Sequence, residues 1–246
     1  MPDPIWFFIA GVFLLAGTVK GAIGLGMPAI VMGSLALVMA PVEAAAILVV
    51  PMFVTNIWQM LAGPHFKSLT VRLWPVLLGV LVGTLAGAKG MTELDPRIGR
   101  GVLGAVLVIY GLSGFIVMSV VRGLGNGHAL GLAVGGITGL LGAVTGVFVI
   151  PSVPYIQAMK LDKDELVQGL GIFFMASTVA LLANLIVGQA LDWSVGPMAL
   201  MGTALALAGM GLGQRVRARL NPAAFRKAFF GGLCLLGLYL VARSVV

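Results

Sequence analysis

One lysine stands inside a long apolar stretch, in the run Gly17-Thr18-Val19-Lys20-Gly21-Ala22-Ile23-Gly24-Leu25-Gly26-Met27-Pro28. Apolar sequence enters this run from Ile5 and leaves it towards Ala40. An ammonium inside a bilayer costs about 2.5–3.5 kcal/mol on insertion scales, so it marks a place where something compensates it. Glycine and proline at this density disfavour a continuous helix. An interruption here would free backbone N–H groups and present the positive end of a half-helix. Gly21 and Gly24 would let a small oxyanion approach the backbone closely. The chemistry that suits these residue types is non-covalent capture of a small anion at mid-membrane. The competing reading is a short first helix whose lysine snorkels to the interface.

Other polar residues stand alone in apolar segments: Asn56, Gln59, Gln168 and Asn184. Their amides would hydrogen-bond the oxygens of a substrate, or hold helices together at about 0.6 kcal/mol each. Asn56 and Asn184 fall at near-equivalent places in the two halves of the chain. A second glycine-rich stretch, Gly135 to Gly146, holds Thr138, Gly139, Gly142 and Thr145. Its threonines would bond a substrate or cap freed backbone groups. Glu43 and Glu165 open corresponding segments, where each would carry a coupling proton or act as a first-turn acid of its helix.

Metal and enzyme chemistry find no support. His65 and His128 are far apart in sequence, and neither lies near a cysteine or a carboxylate cluster, so no metal site is expected. Cys234 is the single cysteine, which excludes an intrachain disulfide. Walker A, HExxH and GxSxG patterns are absent, so neither ATP-driven transport nor a hydrolase is indicated, and no cofactor is expected.

The elements that must position these residues are membrane helices. Hydrophobic residues make up 60% of the chain and charged residues 9%, against about 25% charged in a soluble domain. Several apolar runs reach the roughly 20 residues needed to span. The net charge of +7 sits in short loops, where the positive-inside rule expects it, so it does not point to nucleic acid. The start of the chain lacks the basic region of a signal peptide and reads as the first helix, with Trp6 at the interface.

The plan repeats. Gly21 and Gly24 are matched 118 positions later by Gly139 and Gly142. Gly83, Gly87, Pro96, Arg100 and Gly111 are matched 126 positions later by Gly209, Gly213, Pro222, Arg226 and Gly237. The expected architecture is an all-α polytopic membrane protein of two homologous halves, residues 1–122 and 129–246, joined by a linker at 123–128. Each half holds about four to five helical segments, the first broken at its glycine-rich stretch. Kinked first elements would give eight spans and parallel halves. Two-legged first elements would give ten legs and inverted halves, the arrangement favoured because broken-helix sites commonly lie at such interfaces. Lysine and arginine counts are compatible with both.

The segments Lys20-Gly-Ala-Ile-Gly-Leu-Gly-Met-Pro28 and Pro51-Met-Phe-Val-Thr-Asn-Ile-Trp-Gln59, with the two glycine-rich stretches ending in charged loops, resemble the sulfite exporter (TauE/SafE) family of bacterial membrane permeases. The resemblance spans nearly the whole chain. It implies a multi-pass protein of the bacterial inner membrane that moves sulfite, a sulfonate or a related sulfur-containing anion outward. An anion channel and a non-transporting membrane scaffold are the other readings. The scaffold gives Lys20 no purpose.

Overall fold

The computed structural model describes residues 4–116, 127–217 and 221–245. Every regular element among them is helical: α1 (Pro4–Ile23), α2 (Met27–Leu35), α3 (Pro41–Met60), α4 (Phe66–Ala86), the single turn α5 (Gly90–Glu93), α6 (Pro96–Ile116), α7 (His128–Thr145), α8 (Ser152–Ala158), α9 (Lys163–Val187), α10 (Gly196–Arg217) and α11 (Pro222–Val245). Eight spans are long and apolar enough to cross a membrane, with α4 and α5 together forming one of them (Phe66–Glu93); α2 and α8 belong to none. Most of the expected linker 123–128 lies outside the described residues.

Local chemistry sets the helix starts. α1, α3, α6 and α11 each open on a proline, whose fixed φ and missing N–H suit the first helical position. Glu43 accepts a hydrogen bond from the backbone N–H of Ala40, and Glu165 from that of Asp162. Both acids therefore cap their own helices, the first-turn role rather than a place beside Lys20.

Glycine faces set the helix pairing. A Cβ on Gly17 or Gly21 would lie 2.2 Å from the carbonyl oxygen of Ala206 or Met210. A Cβ on Gly213 would lie 2.1 Å from that of Thr18. Residue numbers rise together along this contact, so α1 and α10 run parallel in backbone-to-backbone contact. α4 and α7 do the same: a Cβ on Gly79, Gly83 or Gly87 would lie 2.4, 2.1 or 2.8 Å from Leu132, Gly136 or Ala143. α6 and α11 pair antiparallel, with Gly104 against Gly237 and Gly111 against Phe230 and Cys234.

The short helices reverse the chain. α2 leaves the end of α1 with Gly26 against Phe229, near the start of α11, and rises until Leu37 accepts a hydrogen bond from Arg243, near the end of α11. α8 likewise descends beside α7, with Phe148 against Gly142, Ser152 against Thr138 and Tyr155 beside Gly131. Each pair, α1–α2 and α7–α8, is a hairpin of one long and one short leg. α1, α3, α6 and α10 then run one way, and α4, α7, α9 and α11 the other.

The interruptions are narrower than the glycine density suggests. α1 is unbroken through Gly17, Lys20 and Gly21, and the break is confined to Gly24–Gly26. α7 is unbroken through Thr138, Gly139 and Gly142, and the break begins at Gly146. Gly24, Gly26 and Gly146 hold positive φ values of 77°, 99° and 69°, which only glycine adopts without strain. Gly17, Gly21, Gly139 and Gly142 stay helical, and the space of their missing side chains is occupied by the backbone of α10 or α4 or, at Gly142, by the ring of Phe148. The two breaks lie towards opposite ends of the bundle and do not meet at its centre.

Candidate functional site

Lys20 sits in the last turn of α1, about one turn from the helix end. The negative end of the helix dipole there favours its charge. The side chain is 4% exposed. Its Nζ donates to Thr55 Oγ1 at 2.9 Å and to Asn56 Oδ1, both on α3. Asn56 Nδ2 in turn donates to Thr178 Oγ1 on α9 at 2.9 Å. The Thr55 and Thr178 hydroxyls donate hydrogen bonds to carbonyls of their own helices, those of Pro51 and Phe174. An ammonium has three donors, and α3 takes two.

Among the described residues no carboxylate pairs with the charge. The ion pairs among the described residues are His65–Glu165 at 4.0 Å and Lys89–Glu93 at 3.6 Å. Instead, Lys20 faces a cavity of about 330 Å³. Gly21, Gly24, Gln59, Val167 and Gln168 line its inner part, with Met210 from α10. Exposed Trp58, Asp164, Gln214 and Arg217 form the rim. The cavity is therefore open at the end of the bundle where α1, α3 and α10 finish.

Gln59 fixes the floor of this cavity. Its Nε2 donates to the carbonyls of Gly24 at 2.8 Å and Val167 at 2.9 Å, which ties the break after α1 to α9. Its Oε1 is buried without a protein partner. Gln168 is fully engaged with the α3–α4 turn, through Met60, Gly63 and the N–H of His65.

The second-half residues gather elsewhere. Thr138, Gly139, Gly142 and Asn184 do not line the Lys20 cavity. Thr138 Oγ1 lies 2.7 Å from Ser152 Oγ and accepts from the Ser152 N–H at 3.1 Å, which joins α7 to α8. Gly139 receives the α4 backbone, and Gly142 receives the ring of Phe148. Thr145 caps the freed N–H of Val147 at 3.2 Å. Asn184 donates to the Ala143 carbonyl at 2.9 Å and accepts from the Lys89 N–H at 3.2 Å. Asn184 thus does for the break after α7 what Gln59 does for the break after α1. In holding a carbonyl beside a break, Asn184 resembles Gln59, whereas Asn56 bonds Lys20 and Thr178.

Sequence reasoning missed Thr55, Thr178 and the rim residues Asp164, Gln214 and Arg217. Thr55 carried a signal, as a hydroxyl beside Asn56 in an apolar segment. The rim residues carried none, because they read as ordinary loop charges. No metal-binding cluster occurs among the described residues.

No curated protein and no solved structure matches the chain. A family model does: the model described as Sulfite exporter TauE/SafE matches residues 9–240 of the 246. With nearly its whole length matched, and with eight helices able to cross a membrane, the chain belongs to the sulfite exporter TauE/SafE family.

Proposed function

We propose that the chain is a secondary transporter that carries a small sulfur-containing oxyanion, sulfite or a small organosulfonate, outward across the bacterial inner membrane. One observation carries this reading: a buried ammonium, held by neutral groups and paired with no carboxylate, lines an open cavity. A buried cation without a counter-charge is costly. An incoming anion supplies the missing charge and takes the third Nζ donor. The family membership supplies the sulfur chemistry of that anion.

The same reading sets the orientation. Lys67, Arg72, Lys160, Lys163, Arg215, Arg217, Arg226 and Lys227 lie at the cavity end, against Lys89, Arg97, Arg100 and Arg243 at the other. The positive-inside rule makes the cavity end cytoplasmic. The anion then loads from the cytoplasm, and an inside-negative potential drives it outward with about 2.3 kcal/mol per charge per 100 mV. Export therefore needs no coupling ion. Glu43 and Glu165, engaged as helix caps, take no part.

The two halves, 1–122 and 129–246, are inverted repeats in this account. Exchanging them maps the α1–α10 pair onto α7–α4, and the α6–α11 and α3–α9 pairs onto themselves. The breaks then fall at opposite ends, and access alternates by moving the halves against each other around Lys20 and Asn56. The test is efflux of labelled sulfite from liposomes containing the purified protein, with an imposed potential. Efflux that follows the potential and saturates supports the reading. Absence of flux for sulfite, thiosulfate and two-carbon sulfonates alike rejects it.

A further inference from the structure

A second polar cavity, of about 250 Å³, lies at the end of the bundle where the Lys20 cavity opens, and the two share no lining residue. The first turns of α4, the start of α7 and the end of α8 enclose it. Its polar side chains all donate hydrogen bonds, and none of its lining residues is acidic. Arg72 spends a guanidinium N–H on the Met159 carbonyl, and the fork has further donors. The N-terminus of α7 has no side-chain cap at Gly127, so the first N–H groups of that helix lack intrahelical partners. His128, its first residue, adds an imidazole. Tyr155 is 5% exposed, yet its hydroxyl makes no hydrogen bond among the described residues. That hydroxyl lies 3.5 Å from where a Cβ on Gly131 would stand, beside the first turn of α7, and opens on the cavity. A phenol buried this deeply without a partner points to a ligand that accepts from it.

We propose that this cavity binds the phosphate of an anionic phospholipid, such as phosphatidylglycerol, whose acyl chains lie along the exposed face of α4. The site is separate from the Lys20 cavity and does not depend on what binds there. A phosphate diester offers several acceptor oxygens and a negative charge, which suits a guanidinium, a phenol and a helix N-terminus together. The apolar face decides the source of that phosphate. Val71, which lines the cavity, begins a row with Trp74, Leu78 and Val82 that is exposed along α4. The Trp74 and His128 rings stand 5.4 Å apart, where the polar cavity joins the apolar row. Tryptophan at such a junction marks the membrane–water boundary, the level of the headgroups. A soluble phosphate would use the donors and leave this row without a part, whereas a phospholipid uses both.

The experiment follows quenching of Trp74 fluorescence by phospholipids brominated on their acyl chains. The full chain, with Trp6, Trp58 and Trp193 replaced by Phe, is held in phosphatidylcholine nanodiscs. Brominated phosphatidylglycerol or brominated phosphatidylcholine replaces a rising fraction of the lipid. Half-maximal quenching comes at about a tenfold lower fraction of phosphatidylglycerol. Tyr155→Phe removes only a hydroxyl that has no partner, so the fold is kept, and the preference shrinks about threefold. Arg72→Gln brings the two lipids within about twofold of each other. If the lost Met159 contact keeps that variant from folding, Tyr155→Phe alone decides. Lys227→Gln removes a charge from the same end of the bundle but outside the cavity, and leaves the preference unchanged. Equal quenching by both lipids before these changes overturns the proposal. So does a preference that Tyr155→Phe leaves intact. A preference that Lys227→Gln weakens as much as Arg72→Gln does marks diffuse attraction to the basic end, and overturns it too. Loss of the preference in millimolar inorganic phosphate assigns the cavity to a soluble phosphate and overturns the lipid. Sulfite flux does not enter the readout, so the result stands apart from the transport reading.

Discussion

Lys20 donates from Nζ to Asn56 Oδ1, and it is an amide, not a carboxylate, that receives this buried charge. The difference decides what the site can do. A carboxylate would neutralise the ammonium permanently, whereas an amide orients it and leaves its charge for a ligand.

Asn56→Asp tests that relationship. The new carboxylate pairs with Lys20 and competes with any entering anion. Apparent affinity for sulfite falls at least about tenfold, while the thermal midpoint stays level or rises. Asn56→Ala instead removes one charge-assisted hydrogen bond, worth about 1.5–3 kcal/mol, and lowers both affinity and stability. Liposome flux and thermal unfolding of equal amounts of folded protein read both effects. Unchanged flux in Asn56→Asp would show that no anion visits Lys20.

Asn184 separates binding from scaffolding. Asn184→Leu leaves the Ala143 carbonyl and the Lys89 N–H without their partner, at about 1–3 kcal/mol each. Thermal stability drops, and the sulfite concentration at half-maximal flux stays within about twofold. A large loss of affinity with full stability would instead place Asn184 on the anion's route.

The rim residues act through the field. Arg217→Gln lowers flux at subsaturating sulfite, and Asp164→Asn raises it, because both charges stand at the cavity mouth. Both effects shrink as salt rises towards about 0.5 M, where the Debye length is only a few ångströms. Effects that persist at high salt would indicate direct contacts with the bound anion.

The glycine faces give a structural control. Gly83→Ala places a methyl 2.1 Å from the Gly136 oxygen, and Gly213→Ala one at 2.1 Å from that of Thr18. Each destabilises by about 3 kcal/mol through forced separation of two backbones. Gly11→Ala, with nothing within 4 Å, leaves the thermal midpoint unchanged or higher. Equal tolerance at Gly11 and Gly83 would contradict the parallel α4–α7 contact.

Much of this was legible in the sequence. The apolar runs and charged loops marked the spanning helices, and the repeat matched Gly83 and Gly87 with Gly209 and Gly213, which lie on the contact faces of α4 and α10. Lys20 and Asn56 stood out because a charge and an amide in apolar sequence need partners. The break positions were not legible. Glycine reads the same whether it admits a neighbouring backbone, as at Gly21 and Gly139, or bends the chain, as at Gly24 and Gly146. Nor was the shared task of Gln59 and Asn184 visible. Each holds a carbonyl beside a break in the chain, but nothing in their spacing distinguishes that task from the one Asn56 performs.

If the Lys20 charge binds the transported anion, Lys20→Met must weaken that binding. The substitution keeps the length and apolar stem of the side chain and removes only the ammonium. The measurement is sulfite flux against sulfite concentration in liposomes holding equal amounts of folded wild type and variant. The half-maximal concentration rises at least about tenfold, flux recovers in part at high sulfite, and membrane insertion is unharmed or improved. Wild-type affinity and rate in Lys20→Met would contradict such binding.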